Sequence, residues 1–415
     1  MDRRLFERVP GNAESPECYR EGDFHPVRLG DTFKSQQDGT RRYRVVRKLG
    51  WGTCATVWLA KDNSTSGFVA LKICAATGSR AKEEAEFLKS IRRLDDADNY
   101  CQQLLDEFEH VGPNGVHQIL VLQPMGRSLE NYLERLNSSH LENWHPFARE
   151  VSRQLVLGVQ HIHEKGIVHR DLQPGNIMLR TTRVNSVSGD RIEQDVATDR
   201  DDIYLVRRLD GLPLDDRAPP YLVEPRPLEG GIVRQVPKIG DFTICITDFG
   251  AASSFEDVND GNHAFPTRMR PPELVLGMPL TAPQADIWSL GCLIYQTVTM
   301  ASLFYADGFS TKEEQDDEYL QSIVEVMGPL PIDMLSRWSR RADFVDAEGK
   351  LLQRVAEAGI SEPLDELVNL YKPDGMDTKE MESFIGFLRM MLRFVPEERA
   401  SASELLKHPW LSKSE

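Results

Sequence analysis

The residue pattern predicts an α+β fold in two lobes, a small β-rich N-terminal lobe with one main helix and a larger helical lobe after it. Three observations carry this. Strand-like runs crowd between Tyr43 and Ile73, a single amphipathic segment spans Arg80 to Arg93, and helical spacing takes over after Pro124-Met125-Gly126. The expected organisation is an extension over 1–40, an N-lobe over 41–125, and a C-lobe over 126–415 interrupted by an insert at about 181–240.

Composition limits the classes. With 415 residues, 40% hydrophobic and 27% charged, the chain is an ordinary globular one with ample core. No apolar run approaches the roughly 18 residues of a membrane helix. Met1 to Arg8 lacks the apolar stretch of a signal peptide, so the expected location is intracellular, cytoplasm and/or nucleus. Cys18, Cys54, Cys74, Cys101, Cys245 and Cys292 are scattered without metal-ligand or disulfide spacing. The net charge of −16 disfavours direct nucleic-acid or acidic-membrane binding and suits a basic partner.

In chain order, residues 1–40 are polar, without a sustained period, and are expected to pack only locally. Tyr43 to Leu49, Thr56 to Ala60 and Phe68 to Ile73 read as strands. Ala81, Ala85 and Leu88 mark one face of the helix that follows. Ile119 to Leu122 is an apolar strand running into a hinge. Val151, Leu155, Val159 and Ile162 share a stripe of a helix ending near Gly166. Residues 181–240 hold few apolar positions and read as a partly disordered insert. Ala285 to Met300 is apolar almost all round, as a buried helix is, and Ser401-Ala402-Ser403-Glu404 is a capping box starting a last helix at about Ala402.

The chemistry sits at the joints. Gly50-Trp51-Gly52-Thr53-Cys54-Ala55-Thr56-Val57 lies between two strands, where backbone without bulky side chains can close over phosphates; taken alone, such a turn is more often a plain hairpin. One strand later comes Val69-Ala70-Leu71-Lys72. A lone strand lysine is usually a solvated charge, but here it can pair nucleotide phosphates while a helix carboxylate holds it. Glu84 fits best, with Glu83 and Glu86 as rivals. His169-Arg170-Asp171-Leu172-Gln173-Pro174-Gly175-Asn176 and Asp248-Phe249-Gly250 then supply what phosphoryl transfer needs: Asp171 as base, Asn176 and Asp248 as hard oxygen ligands for Mg²⁺. Gln173 stands where most serine/threonine kinases carry lysine, and can offer only a hydrogen bond to the transferred group.

These motifs, with Arg270-Pro271-Pro272-Glu273, Asp286 to Gly291 and Arg399, occur in the order of eukaryotic protein kinases, which residues 41–412 resemble. The long gap before Asp248, the segment Glu17 to Val27 and the Trp51 loop resemble the SR-protein kinases, serine kinases of Arg/Ser-rich splicing factors. The resemblance implies ATP with Mg²⁺, catalytic Asp171, Lys72, Glu84 and Gln173, and metal ligands Asn176 and Asp248. It also implies a nucleotide slot of Leu49, Gly50, Gly52, Val57, Ala70 and Lys72, with adenine on the backbone of Gln123 and Met125 beside the gatekeeper Leu122. Glu273 with Arg399 would be a structural ion pair, and basic Arg/Ser-rich proteins would dock on the acidic run Glu313 to Glu318 of a monomer. That run reads equally well as a solvated helix face. Arg170, where these kinases often have a small residue, suggests a phosphorylated Thr267, or Ser253 or Ser254, held by its guanidinium. The rival function is a pseudokinase or weakly active nucleotide-binding scaffold for basic partners, motivated by Gln173 and Ala55.

Overall fold

The computed structural model describes residues 4–9, 11–34, 41–78, 80–92, 100–135, 143–181, 203–228, 236–259, 265–306, 311–358 and 362–412. They divide into two compact units, one of Met1–Asp96, Gln102–Arg127 and Leu179–Ile232, the other of Ala97–Cys101, Ser128–Met178 and Val233–Glu415.

The first unit is built on a six-stranded sheet: β1 (Thr32–Lys34), β2 (Arg41–Trp51), β3 (Ala55–Asp62), β4 (Phe68–Cys74), β5 (Leu104–Gly112) and β6 (Gly115–Leu122). Its order is β1-β2-β3-β4-β6-β5, every pairing antiparallel. Alternation sends Trp58, Ala60, Leu71, Ile73, Ile119 and Val121 into one core with Tyr43, Val45 and Phe108. The other face carries Val57, Ala70 and Lys72, and the register aligns Gly50 with Val57 and Val57 with Lys72. Helix α1 (Ala81–Ser90) buries Ala81, Glu84, Ala85 and Leu88 on one face.

The extension does not pack only locally. Val27 and Phe33 enter the sheet core, while Phe6, Tyr19 and Phe24 form a second cluster with Val206, Ala218 and Leu222 of the insert. Within that insert, strands Ile203–Leu205 and Tyr221–Val223 pair antiparallel, and Phe6 bridges Arg208. Leu228 packs on Leu59. Phe6, Tyr19, Phe24, Val206 and Leu222 are buried, each aromatic contributing on the order of 2 kcal/mol, whereas Ile203, Leu205, Leu209 and Leu212 stay exposed. A fully buried ion pair pins the extension to β2: Lys48 Nζ and the Tyr19 hydroxyl both donate to the Glu14 carboxylate. Trp51 Nε1 donates to the Asn12 carbonyl at 2.6 Å.

The second unit is helical. After α2 (Leu129–Arg135), helix α3 (Trp144–Glu164) buries Phe147, Val151, Leu155, Val159 and Ile162, and the chain leaves it through Gly166 at φ 70, where a Cβ is disfavoured. The short α4 (Pro272–Val275) carries Glu273, whose carboxylate takes a bidentate pair from Arg399 at 2.7 Å. Helix α5 (Gln284–Thr299) is buried on nearly every side, including Asp286, and α6 (Lys312–Met327) opens on a Thr311–Glu314 capping box. A final short helix, Ala402–Leu405, starts from the capping box of Ser401 and Glu404.

Candidate active site

In the first unit, the strand-to-helix geometry selects Glu84 from three neighbouring glutamates. Lys72 Nζ donates to both Glu84 oxygens at 2.8 Å, and Glu84 lies on the buried face of α1, whereas Glu83 pairs with Arg80 and Glu86 with Lys89. Two long side chains are thereby held in one orientation beside Val57. The β2–β3 turn closes through the Gly52 N–H to the Ala55 carbonyl at 2.9 Å. A side chain added at Gly50 or Gly52 would meet nothing within 4 Å, so the backbone there is open to a polyanion. Leu49 is half-buried against the Leu59 and Leu228 cluster, and Ala70 pairs with Leu122 across the sheet. Met125 is buried; the Gln123 carbonyl accepts from Gln102 Nε2 at 3.1 Å.

In the second unit, Asp286 organises the loop. Its carboxylate accepts the backbone N–H of His169 at 2.7 Å and of Arg170 at 2.9 Å, with His163 Nε2 at 3.1 Å. Burial alone would raise this carboxyl; the bonds from His163 and the backbone hold it low. Its signal in the sequence is a carboxylate inside an otherwise apolar helix, and the sequence reading assigned it no such role. His169 is packed, stacked edge-on to Phe249 at 4.8 Å and kept neutral by burial.

Asp171 projects between two neutral amides. Gln173 Nε2 donates to its Oδ1 and Asn176 Nδ2 to its Oδ2, both at 2.7 Å, and Asn176 Nδ2 also reaches the Asp171 carbonyl at 2.9 Å. With its nitrogen so engaged, Asn176 keeps its Oδ1 out of the bonds to Asp171. Thr247 binds the Asn176 carbonyl through its N–H at 2.9 Å and its hydroxyl at 3.0 Å, which ties the residue before Asp248 to Asn176. Asp248 adopts φ 63, and Arg170 φ 65, left-handed conformations that cost energy without glycine and cluster at functional sites. One carboxylate and one amide oxygen, both hard donors, fit Mg²⁺, which completes its shell with water and substrate phosphate rather than a protein cage.

Arg170 is fully buried and donates from Nε to the Ala251 carbonyl at 2.8 Å and from Nη1 to that of Val258 at 3.5 Å, and Thr267 is half-buried on a separate turn. One expectation is changed. The acidic run is partly internal: Glu314 caps α6, Asp316 pairs with Arg270 at 2.9 Å, and Asp317 accepts Trp338 Nε1 at 2.6 Å beside Arg340. Glu130, absent from the sequence reading, stands over Gly175, its Oε2 only 3.3 Å from where a side chain would begin. Burial, and then Glu134, raise its carboxyl.

The protein kinase domain family matches residues 43–187 and 237–411. Among curated proteins, serine/threonine-protein kinase SRPK of Physarum polycephalum is 28% identical over 96% of this chain and 91% of its own length. Human SRSF protein kinase 3 is 26% identical over 96% and 90%, and SKY1 of Saccharomyces cerevisiae 34% identical over 42% of this chain and 24% of its own. A solved kinase-domain crystal structure shares the fold with a TM-score of 0.62 at 22% identity, covering 94% of this chain and 99% of that one. The chain belongs to the protein kinase family, as a serine/threonine kinase whose relatives are the SRPK kinases.

Proposed function

We propose that the chain transfers the γ-phosphoryl group of ATP, with Mg²⁺, to serines of Arg/Ser-rich proteins, in the context of mRNA splicing, inside the cell and as a monomer. The observation that carries it is the amide-clamped Asp171, with Asn176 bonded to it and tied in turn to Thr247, which precedes Asp248. In this reading residues 41–125 handle the nucleotide and 126–415 the acceptor. Lys72, oriented by Glu84, pairs the α- and β-phosphates; Gly50 and Gly52 approach with bare backbone; Leu49, Val57, Ala70 and the hinge at Gln123 and Met125 receive the adenine. Asn176 Oδ1 and the Asp248 carboxylate would hold the metal, which supplies charge neutralisation between the phosphates. Asp171 orients the serine hydroxyl and accepts its proton as the new O–P bond forms and the nucleoside diphosphate departs.

Phosphate transfer to an Arg/Ser peptide, comparing wild type with Asp171→Ala, tests this. The variant should lose at least about a hundredfold in kcat. Equal signals would sink the enzyme reading in favour of a nucleotide-binding scaffold, which the uncharged Gln173 favours.

A further inference from the structure

In the second unit, the catalytic loop holds the Asp171 carboxylate with two neutral amides. Gln173, extended at φ −152 and ψ 160 just before the turn Pro174–Asn176, aims its amide at Asp171. Its nitrogen must face the carboxylate, since its oxygen would repel it. Asn176 repeats the arrangement on the second carboxylate oxygen. Arg170, next in sequence to Asp171, is turned onto the Ala251 and Val258 carbonyls, and the carboxylate of Glu130 stands over Gly175. The loop thus holds Asp171 by hydrogen bonds, with one further carboxylate, that of Glu130, close to it.

We propose that Gln173 is a positioning residue that holds Asp171 without adding charge, and that the chemical step therefore depends on a cationic side chain which the substrate carries beside its acceptor serine. This rests on the reading above that the substrate is an Arg/Ser-rich protein. As the serine oxygen bonds to phosphorus and the bridging oxygen leaves, negative charge spreads over the transferred group. An amide N–H stabilises it weakly, and a guanidinium brought in by the substrate stabilises it more. Glu130 provides negative potential that favours such a cation near the loop. Selectivity for a basic neighbour then arises in turnover rather than in binding alone.

The test uses the full chain and two peptides with the same distal Arg/Ser tract, the acceptor serine flanked by arginine in one and by its neutral isostere citrulline in the other. Wild type should lose about tenfold in kcat on the citrulline peptide with KM changed less than about twofold, whereas Gln173→Lys should lose less than about threefold. Gln173→Ala should lower kcat on both peptides and keep the dependence on arginine. A loss confined to KM, or the same kcat loss in wild type and Gln173→Lys, overturns the proposal. If Gln173→Lys melts early, a wild-type series of arginine, lysine and citrulline decides alone: kcat must follow charge. Transfer to both peptides at equal kcat overturns only this inference; no transfer to either overturns the proposed function as well.

Discussion

Glu14→Ala would leave Lys48 buried without its counter-ion. Both side chains are 0% exposed, and the carboxylate also accepts the Tyr19 hydroxyl, so the substitution orphans a charge and a neutral donor at once. Removing one partner of a buried pair costs about 3–5 kcal/mol. The electrostatic part has a ceiling, because Lys48 can shed its proton: from an ordinary value of 10.5, neutralisation at pH 7 costs about 5 kcal/mol. Burial already lowers Lys48 in the native protein, with Glu14 opposing. In the variant the folded value lies below 10.5, so the unfolded state binds more protons at neutral pH and stability is lost as pH falls. The deficit should therefore shrink from several kcal/mol at pH 7 to about 1–2 kcal/mol at about pH 9.5. Urea unfolding followed by tryptophan fluorescence measures it, with hydrogen exchange in β2 and β3 localising the loss. Glu14→Leu with Lys48→Met should recover most of it, since a well-packed apolar pair can replace a buried ionic one. A deficit below about 1 kcal/mol at pH 7, or one independent of pH, would refute the reasoning.

His25 supplies an acid-side counterpart. Burial, then His110 and His117, push it down to about 3, so the unfolded state gains a proton below 6.5 that the folded state refuses. Stability should fall as pH drops from 6.5 towards 3, the His25 share reaching about 2 kcal/mol at pH 5. His25→Phe should flatten that slope in urea midpoints taken at pH 7 and pH 5, and an unchanged slope counts against it. Gly158→Ala should destabilise by about 1–3 kcal/mol in thermal melts despite alanine's better helix propensity. Its Cβ would stand 2.7 Å from Ile246 Cδ1 and 3.2 Å from Tyr100 Cβ, and a stabilised variant would mean that α3 shifts freely.

Legibility followed locality. Asp171, Gln173, Asn176 and Asp248 lie in short contiguous motifs whose residue types are dictated by chemistry, and strands such as Thr56 to Ala60 announce themselves by alternation over a few residues. The lysine and its best partner were both legible, but the rivals were not excluded: Glu83, Glu84 and Glu86 all lie within one turn of α1, and the orientation of that helix on the sheet is what buries Glu84. Arg170 drew attention by its charge, but the carbonyls of Ala251 and Val258 that accept from its Nε and Nη1 lie far along the chain, where no local pattern points to them.

The extension and insert were opaque for a different reason. Glu14 and Tyr19 lie in mainly polar stretches, and Phe6 and Leu222 in apolar runs of two or three residues, too short for a period that a sequence argument could detect, and the partners of Phe6, Glu14 and Leu222 lie far along the chain. The order and spacing of the motifs were enough to establish the kinase fold, because those constraints act through neighbours. Whether a given charge became a ligand, a clamp or a buried strut depended on long-range packing, because burial decides which charges must find a partner and which partner lies within reach.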